Sequence, residues 1–111
     1  MSEAAIDHAI FAELQETAGA EFVNELVATF LEEAPRMLVE LRSAQAAKSA
    51  ERFRRAAHSL KSNSNTFGAL SLGDMARKLE LGGLITDAAP LDALDAEYAR
   101  VAVALKGLCN G

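Results

Sequence analysis

Apolar residues recur along this chain at three- and four-residue steps, the spacing of amphipathic helices. No stretch of useful length alternates with the period of two that a half-buried strand requires. Ile6, Ile10 and Leu14 form a narrow stripe on a polar segment that ends near Gly19, and Ser2 stands where an N-cap would be. From Ala20 a stronger stripe runs through Phe22, Leu26, Phe30, Met37, Leu41 and Ala44, with Val23, Val27, Leu31 and Leu38 beside it. Pro35 interrupts this run. A proline removes one helical hydrogen bond and crowds the preceding turn, yet the apolar positions on either side stay in phase. The spacing therefore predicts one long helix kinked near Pro35, or two helices abutting there.

Ser49 is placed to cap a third helix, with Glu51 in its first turn, running to about Phe67, where Gly68 supplies a left-handed end. Its core face is Phe53, Ala57, Leu60, Ser64 and Phe67. Ser71 and Asp74 have the spacing of a capping box and predict the start of a fourth helix carrying Leu72, Met75, Ala76 and Leu79, weakened at its end by Gly82 and Gly83. After a loop over residues 86–90, Pro90 opens a last helix with Leu91, Leu94, Tyr98, Val101, Leu105 and Leu108 on one side. Four long amphipathic helices joined by short connections predict an all-α fold. The expected architecture is an antiparallel up-down four-helix bundle, with the additional short N-terminal helix covering one end.

Composition agrees with this pattern. Alanine and leucine dominate, tryptophan is absent, and 111 residues suffice for one core, so residues 1–111 are read as a single domain. A formal charge of -5 disfavours a nucleic-acid partner, which needs a basic footprint. No apolar run approaches the roughly 18 residues of a membrane span, and the N-terminus lacks the features of a signal peptide, so a cytoplasmic protein is expected. Cys109 is the only cysteine; it has no partner for an internal disulfide or a cysteine-based metal site and is read as a packing residue.

Candidate chemistry gathers on the third helix. With Phe53 at zero and about 100° per residue, Lys61 falls at about 80°, Arg54 at about 100°, Asn65 at about 120°, His58 at about 140° and Ser62 at about 180°. His58 therefore faces solvent among two cations, a hydroxyl and an amide, a face suited to an anion. Histidine, with an unperturbed pKa of about 6.5, offers a neutral nucleophilic nitrogen near neutral pH. Spacing alone favours an ordinary solvated helix face. Residues 51 to 61 set Arg52, Arg54, Arg55 and Lys61 against Glu51 alone, a local balance of +3 that leaves -8 for the rest of the chain.

The string AAHSLKSNSNTFGAL, residues 56 to 70, resembles the histidine-containing phosphotransfer (HPt) domain, whose pattern is His, any residue, Leu, Lys, Gly, then Gly-Ala after a short gap. His58, Leu60, Lys61, Gly68 and Ala69 match in register, and FLEEAPRMLVELRSA resembles the preceding helix of many bacterial members. The likeness covers most of the chain and is weakest after Leu81. Ser62 stands where the family usually has glycine, which implies an altered partner preference or rate.

The resemblance implies that His58 is the phosphoacceptor and Lys61 the charge partner of the phosphoryl oxygens. Gly68 and Ala69 would form the tight end of the helix, a structural role. Arg54, Ser62 and Asn65 are candidate receiver-facing residues, and Arg77 and Lys78 could extend the basic rim. His8 lacks such a cluster and is read as a surface residue. The implied partners are response-regulator receiver domains and a hybrid sensor histidine kinase, with the phosphoryl group passing reversibly between aspartates through His58. An apolar docking patch is expected from exposed Leu or Ala residues of the first two helices. The protein is taken as a free-standing monomer with no nucleic-acid or membrane partner.

No glycine-rich nucleotide loop is present, so no autokinase activity is expected. Glu51, two turns away, is the only carboxylate near the His58 string. No intrinsic metal or cofactor is therefore expected, and Mg²⁺ is assigned to the receiver. The competing reading is a non-phosphorylated helical adaptor using the same face. A hydrolase pairing Ser59 with His58 is disfavoured, because adjacent helical residues point about 100° apart and no carboxylate is in view to orient the pair.

Overall fold

The computed structural model describes residues 5–110, and these contain five helices and no strand. They are α1 (His8–Ala18), α2 (Ala20–Ala46), α3 (Ala50–Thr66), α4 (Leu70–Gly82) and α5 (Ala89–Asn110). Helix α3 packs between α2 and α4, and α5 closes the bundle against the same two helices, while α1 lies on α2. The core is filled by Val23 and Leu41 from α2, Phe53 and Leu60 from α3, Leu72 from α4, and Leu94, Val101 and Leu105 from α5. No helix among the described residues is long and apolar enough to cross a membrane.

Asp7, and not Ser2, caps α1; Ser2 lies outside the described residues. The Asp7 carboxylate accepts from the backbone N–H groups of Ala9 and Ile10 at 3.0 and 3.1 Å. Tertiary structure selects Asp7, because its own N–H donates to the Gly68 carbonyl at 2.8 Å, which ties the start of α1 to the α3–α4 turn. Ile6 and Phe11 are buried on either side of that anchor.

Helix α2 runs unbroken through Pro35. The missing proline N–H leaves the Leu31 carbonyl without its helical donor, and the Tyr98 hydroxyl of α5 donates to that oxygen at 3.3 Å. The buried face of α2 is Val23, Val27, Phe30, Ala34, Leu41 and Ala44. Phe22, expected in the stripe, is exposed. Both Phe22 and Val23 continue a helical period, and the packing of α2 on its neighbours centres the face on Val23.

Ser49 Oγ accepts from the Arg52 N–H at 3.3 Å and caps α3. The helix ends in a Schellman turn: Ala69 N–H donates to the Ser64 carbonyl at 2.9 Å, Gly68 N–H to the Asn65 carbonyl at 3.1 Å, and Gly68 has φ 84°. A Cβ at Gly68 would also stand 2.8 Å from the Asp7 carbonyl. The turn delivers the chain directly into α4 at buried Ala69, whose carbonyl accepts the Gly73 N–H at 2.9 Å. Helix α4 therefore starts at Leu70, Ser71 and Asp74 lie inside it, and no capping box forms there.

Candidate functional site

His58 sits on the outward side of α3 with its side chain 54% exposed, and α4 supplies its partner. Nδ1 lies 2.7 Å from Oε2 of Glu80, a carboxylate only 12% exposed. The other oxygen, Oε1, is 2.9 Å from Lys61 Nζ, a charge contact rather than a well-directed hydrogen bond. One carboxylate thus bridges the histidine and the lysine one turn further along α3. Lys61 first, and His58 second, hold the Glu80 carboxyl below its ordinary value of 4.5 against the opposing effect of burial.

This geometry decides which ring nitrogen is free. An ionised carboxylate only accepts hydrogen bonds, so Nδ1 must carry the proton, and the neutral ring keeps its lone pair on Nε2. That tautomer follows from the contact partner.

Glu80 corrects the expectation that Glu51 is the only carboxylate near the histidine. Glu51 is engaged by Arg54 at 2.7 Å and Arg55 at 3.6 Å. Angles on α3 alone cannot see a residue of the next helix. The turn could have shown it: His58 lies ten residues before Gly68 and Glu80 twelve after, nearly opposite positions in an antiparallel hairpin. Glu80 also sits beside the Leu72, Ala76, Leu79 stripe, a charged residue at the rim of a buried face.

The basic stretch is paired rather than free. Glu40 of α2 takes Arg52 through two hydrogen bonds at 2.9 and 2.8 Å, and Ser43 adds a third at 3.0 Å. Arg77 and Lys78 contact Asp74 at 3.0 and 3.3 Å. Asn65 leans on Gly73 of α4, where a Cβ would overlap its carboxamide, so it reaches a helix neighbour as well as solvent. Ser62 is exposed one turn from His58, and its carbonyl accepts from Thr66 Oγ1 at 3.0 Å. His8 is exposed at the start of α1.

Ser59 lines a groove between α2 and α3 with Glu33, Arg36, Met37, Arg52 and Arg55, while His58 contacts α4. A carboxylate therefore does orient the histidine, contrary to the sequence expectation, but the serine faces the other helix. The large exposed apolar residues of α2 are Phe22 and Val39, not leucines, and α4 adds Leu70 and Leu81. No group of three or more His, Cys, Asp or Glu side chains that could hold a metal ion occurs among the described residues.

An anion arriving at Nε2 would meet an ammonium one turn away and a ring already oriented by hydrogen bonding. The family model described as the Hpt domain matches residues 25–104. The crystal structure of histidine-containing phosphotransfer protein B from Pseudomonas aeruginosa superposes with a TM-score of 0.84 at 26% identity, covering 98% of this chain and 97% of that one. A comparison with curated proteins finds no match.

Proposed function

This chain belongs to the Hpt domain family, and from that premise we propose that it relays a phosphoryl group between aspartates of receiver domains through His58. The observation that carries the reading is an exposed imidazole whose Nδ1 is held by Glu80 while Lys61 stands one turn away. Nε2 attacks the phosphorus of an aspartyl phosphate; the N–P bond forms, the P–O bond to the aspartate breaks, and the carboxylate leaves with the electron pair. A second receiver carboxylate reverses the process. Such transfer depends on in-line placement and on neutralising the equatorial oxygens. Lys61 contributes part of that charge, and Mg²⁺ is assigned to the receiver.

In this reading a hybrid sensor histidine kinase supplies the phosphoryl group, and the chain, a cytoplasmic monomer, has no kinase activity of its own. The absence of a glycine-rich phosphate cradle from the sequence supports the last point.

The test is incubation of wild type and His58→Gln with a phosphorylated receiver and Mg²⁺. Acid-labile, base-stable phosphate is expected on the wild type alone. Receiver binding without phosphate transfer would put the helical adaptor in its place.

A further inference from the structure

Independently of the phosphotransfer reading, we propose that the end of the bundle where α2 turns into α3 binds a small amphipathic carboxylate, an aliphatic chain with one anionic end. The site lies between the last turns of α2 and the α4–α5 loop, and none of the residues lining it belongs to the His58 site.

Helix α4 ends at Gly82, and the chain then crosses to α5 through Leu84 and Ile85. These two side chains, Leu91 at the start of α5 and Ala46 of α2 form the apolar walls of a cavity of about 610 Å³. That volume lies within the roughly 300–1,000 Å³ of small-molecule sites. Leu91 and Ile85 join the walls to the hydrophobic core, while Leu84 and Ala46 keep exposed apolar surface.

The charged residues lining the cavity are both cations, Arg42 and Lys48. Arg42 is committed: it donates to Asp92 at 2.8 Å and to Asp95 at 2.6 Å, tying α2 to α5. No carboxylate pairs with Lys48 among the described residues. Lys48 also stands where the backbone by itself favours glycine. Its φ is 58°, in the left-handed region, and its N–H donates to the Gln45 carbonyl at 3.1 Å to close the α2–α3 turn. The turn gains nothing from an ammonium group; an anion in the cavity does. Gln45 is uncommitted as well, since its buried Oε1 has no hydrogen-bond donor, an arrangement that costs the folded protein free energy. Rotating the carboxamide toward the cavity ends that burial and presents its N–H donors to an anionic head beside Lys48.

An ammonium and a carboxamide beside apolar walls match a chain with a single charged end. A small inorganic anion would leave the walls unused. A peptide would bring an N–H and a C=O with every residue, and the other polar side chains lining the cavity are Thr86 and the engaged Arg42. An aliphatic chain makes no such demand.

The test is titration of the labelled full chain with decanoate, below its micelle concentration, followed by methyl NMR. Decanoate is expected to shift the methyl groups of Leu84, Ile85 and Leu91 saturably. Octanoate should bind about tenfold more weakly, the effect of two fewer buried methylenes. Lys48→Gln should weaken decanoate about tenfold, as loss of one charge-assisted hydrogen bond, and leave decanol binding unchanged. Lys48→Gly is the second variant: glycine suits the left-handed backbone, so this protein should fold about as stably and lose the same affinity. No saturable shift at these methyl groups, or equal decanoate affinity in wild type and both variants, overturns the proposal. Tighter binding of an acidic, leucine-rich tripeptide than of decanoate would overturn the ligand class in favour of a peptide. No receiver enters the titration, so the relay reading stands or falls separately.

Discussion

Lys61 Nζ lies 2.9 Å from Oε1 of Glu80, so the cation assigned to the phosphoryl group is already engaged in the resting protein. Its side chain is 24% exposed, and the pair bridges α3 and α4 at the bundle surface. Ion pairs in such positions contribute about 0–1 kcal/mol to stability.

Lys61→Ala is therefore expected to slow phosphoryl transfer far more than it lowers stability. The rate should fall about ten- to hundredfold, matching loss of one charge-assisted interaction of about 1.5–3 kcal/mol. Stopped-flow or quenched transfer from a phosphorylated receiver gives the rate, and thermal unfolding gives the stability. A large loss of melting temperature with unchanged transfer would make Lys61 a structural residue.

Glu80 also predicts a pH dependence. Its carboxyl is held below 4.5 in the folded protein, chiefly by Lys61 and then by His58, so folding favours the deprotonated form. The resulting stabilisation is complete above the unfolded value near 4.5 and is lost as pH falls through the lowered folded value. The melting-temperature difference between wild type and Glu80→Gln should thus be larger at pH 7 than at pH 3. Other carboxylates titrate in both proteins and largely cancel. A difference that does not change with pH would contradict the pairing.

Gly68→Ala is expected to destabilise the protein by about 1–3 kcal/mol, the cost of holding a side chain in a sparsely populated backbone region. Gly68 has φ 84°, and a Cβ there would press on the Asp7 carbonyl, a backbone atom with little freedom to move. Amide exchange should quicken at Asp7, whose N–H donates to Gly68, before it quickens in α3. Unchanged protection at Asp7 would show that the turn does not anchor α1.

Tyr98→Phe removes the hydroxyl that donates to the Leu31 carbonyl opposite Pro35. A loss of about 1 kcal/mol is expected from one hydrogen bond, measured by urea unfolding. The effect should shrink in a Pro35→Ala background, where the backbone N–H restored at that position can take over the same carbonyl. Equal losses in both backgrounds would mean that the Tyr98 hydroxyl contributes otherwise than by serving the carbonyl that Pro35 leaves without its helical donor.

The helices of this bundle were legible wherever local chemistry and packing ask for the same residue. Ser49, Gly68 and the Phe53, Ala57, Leu60 and Ser64 face serve α3 both as an isolated helix and as a member of the core. Periodicity does not discriminate where two adjacent residues satisfy the same period. Phe22 and Val23 both fit, and only the helices around α2 choose between them. The capping residue of α1 went to Asp7 for a related reason: a backbone hydrogen bond to Gly68, distant in sequence, fixes where the helix begins.

The sequence by itself determined the α-helical bundle, the outward-facing His58 and the nearness of Lys61, because each depends on periodicity or spacing within one helix. Tertiary structure decided the state of the site. It brought Glu80 against His58 Nδ1 and placed Lys61 on the same carboxylate. It also paired Arg52 with Glu40 of the neighbouring helix. Charges separated along the chain become partners only when two helices pack, and the angles of a single helix carry no information about what its neighbour presents.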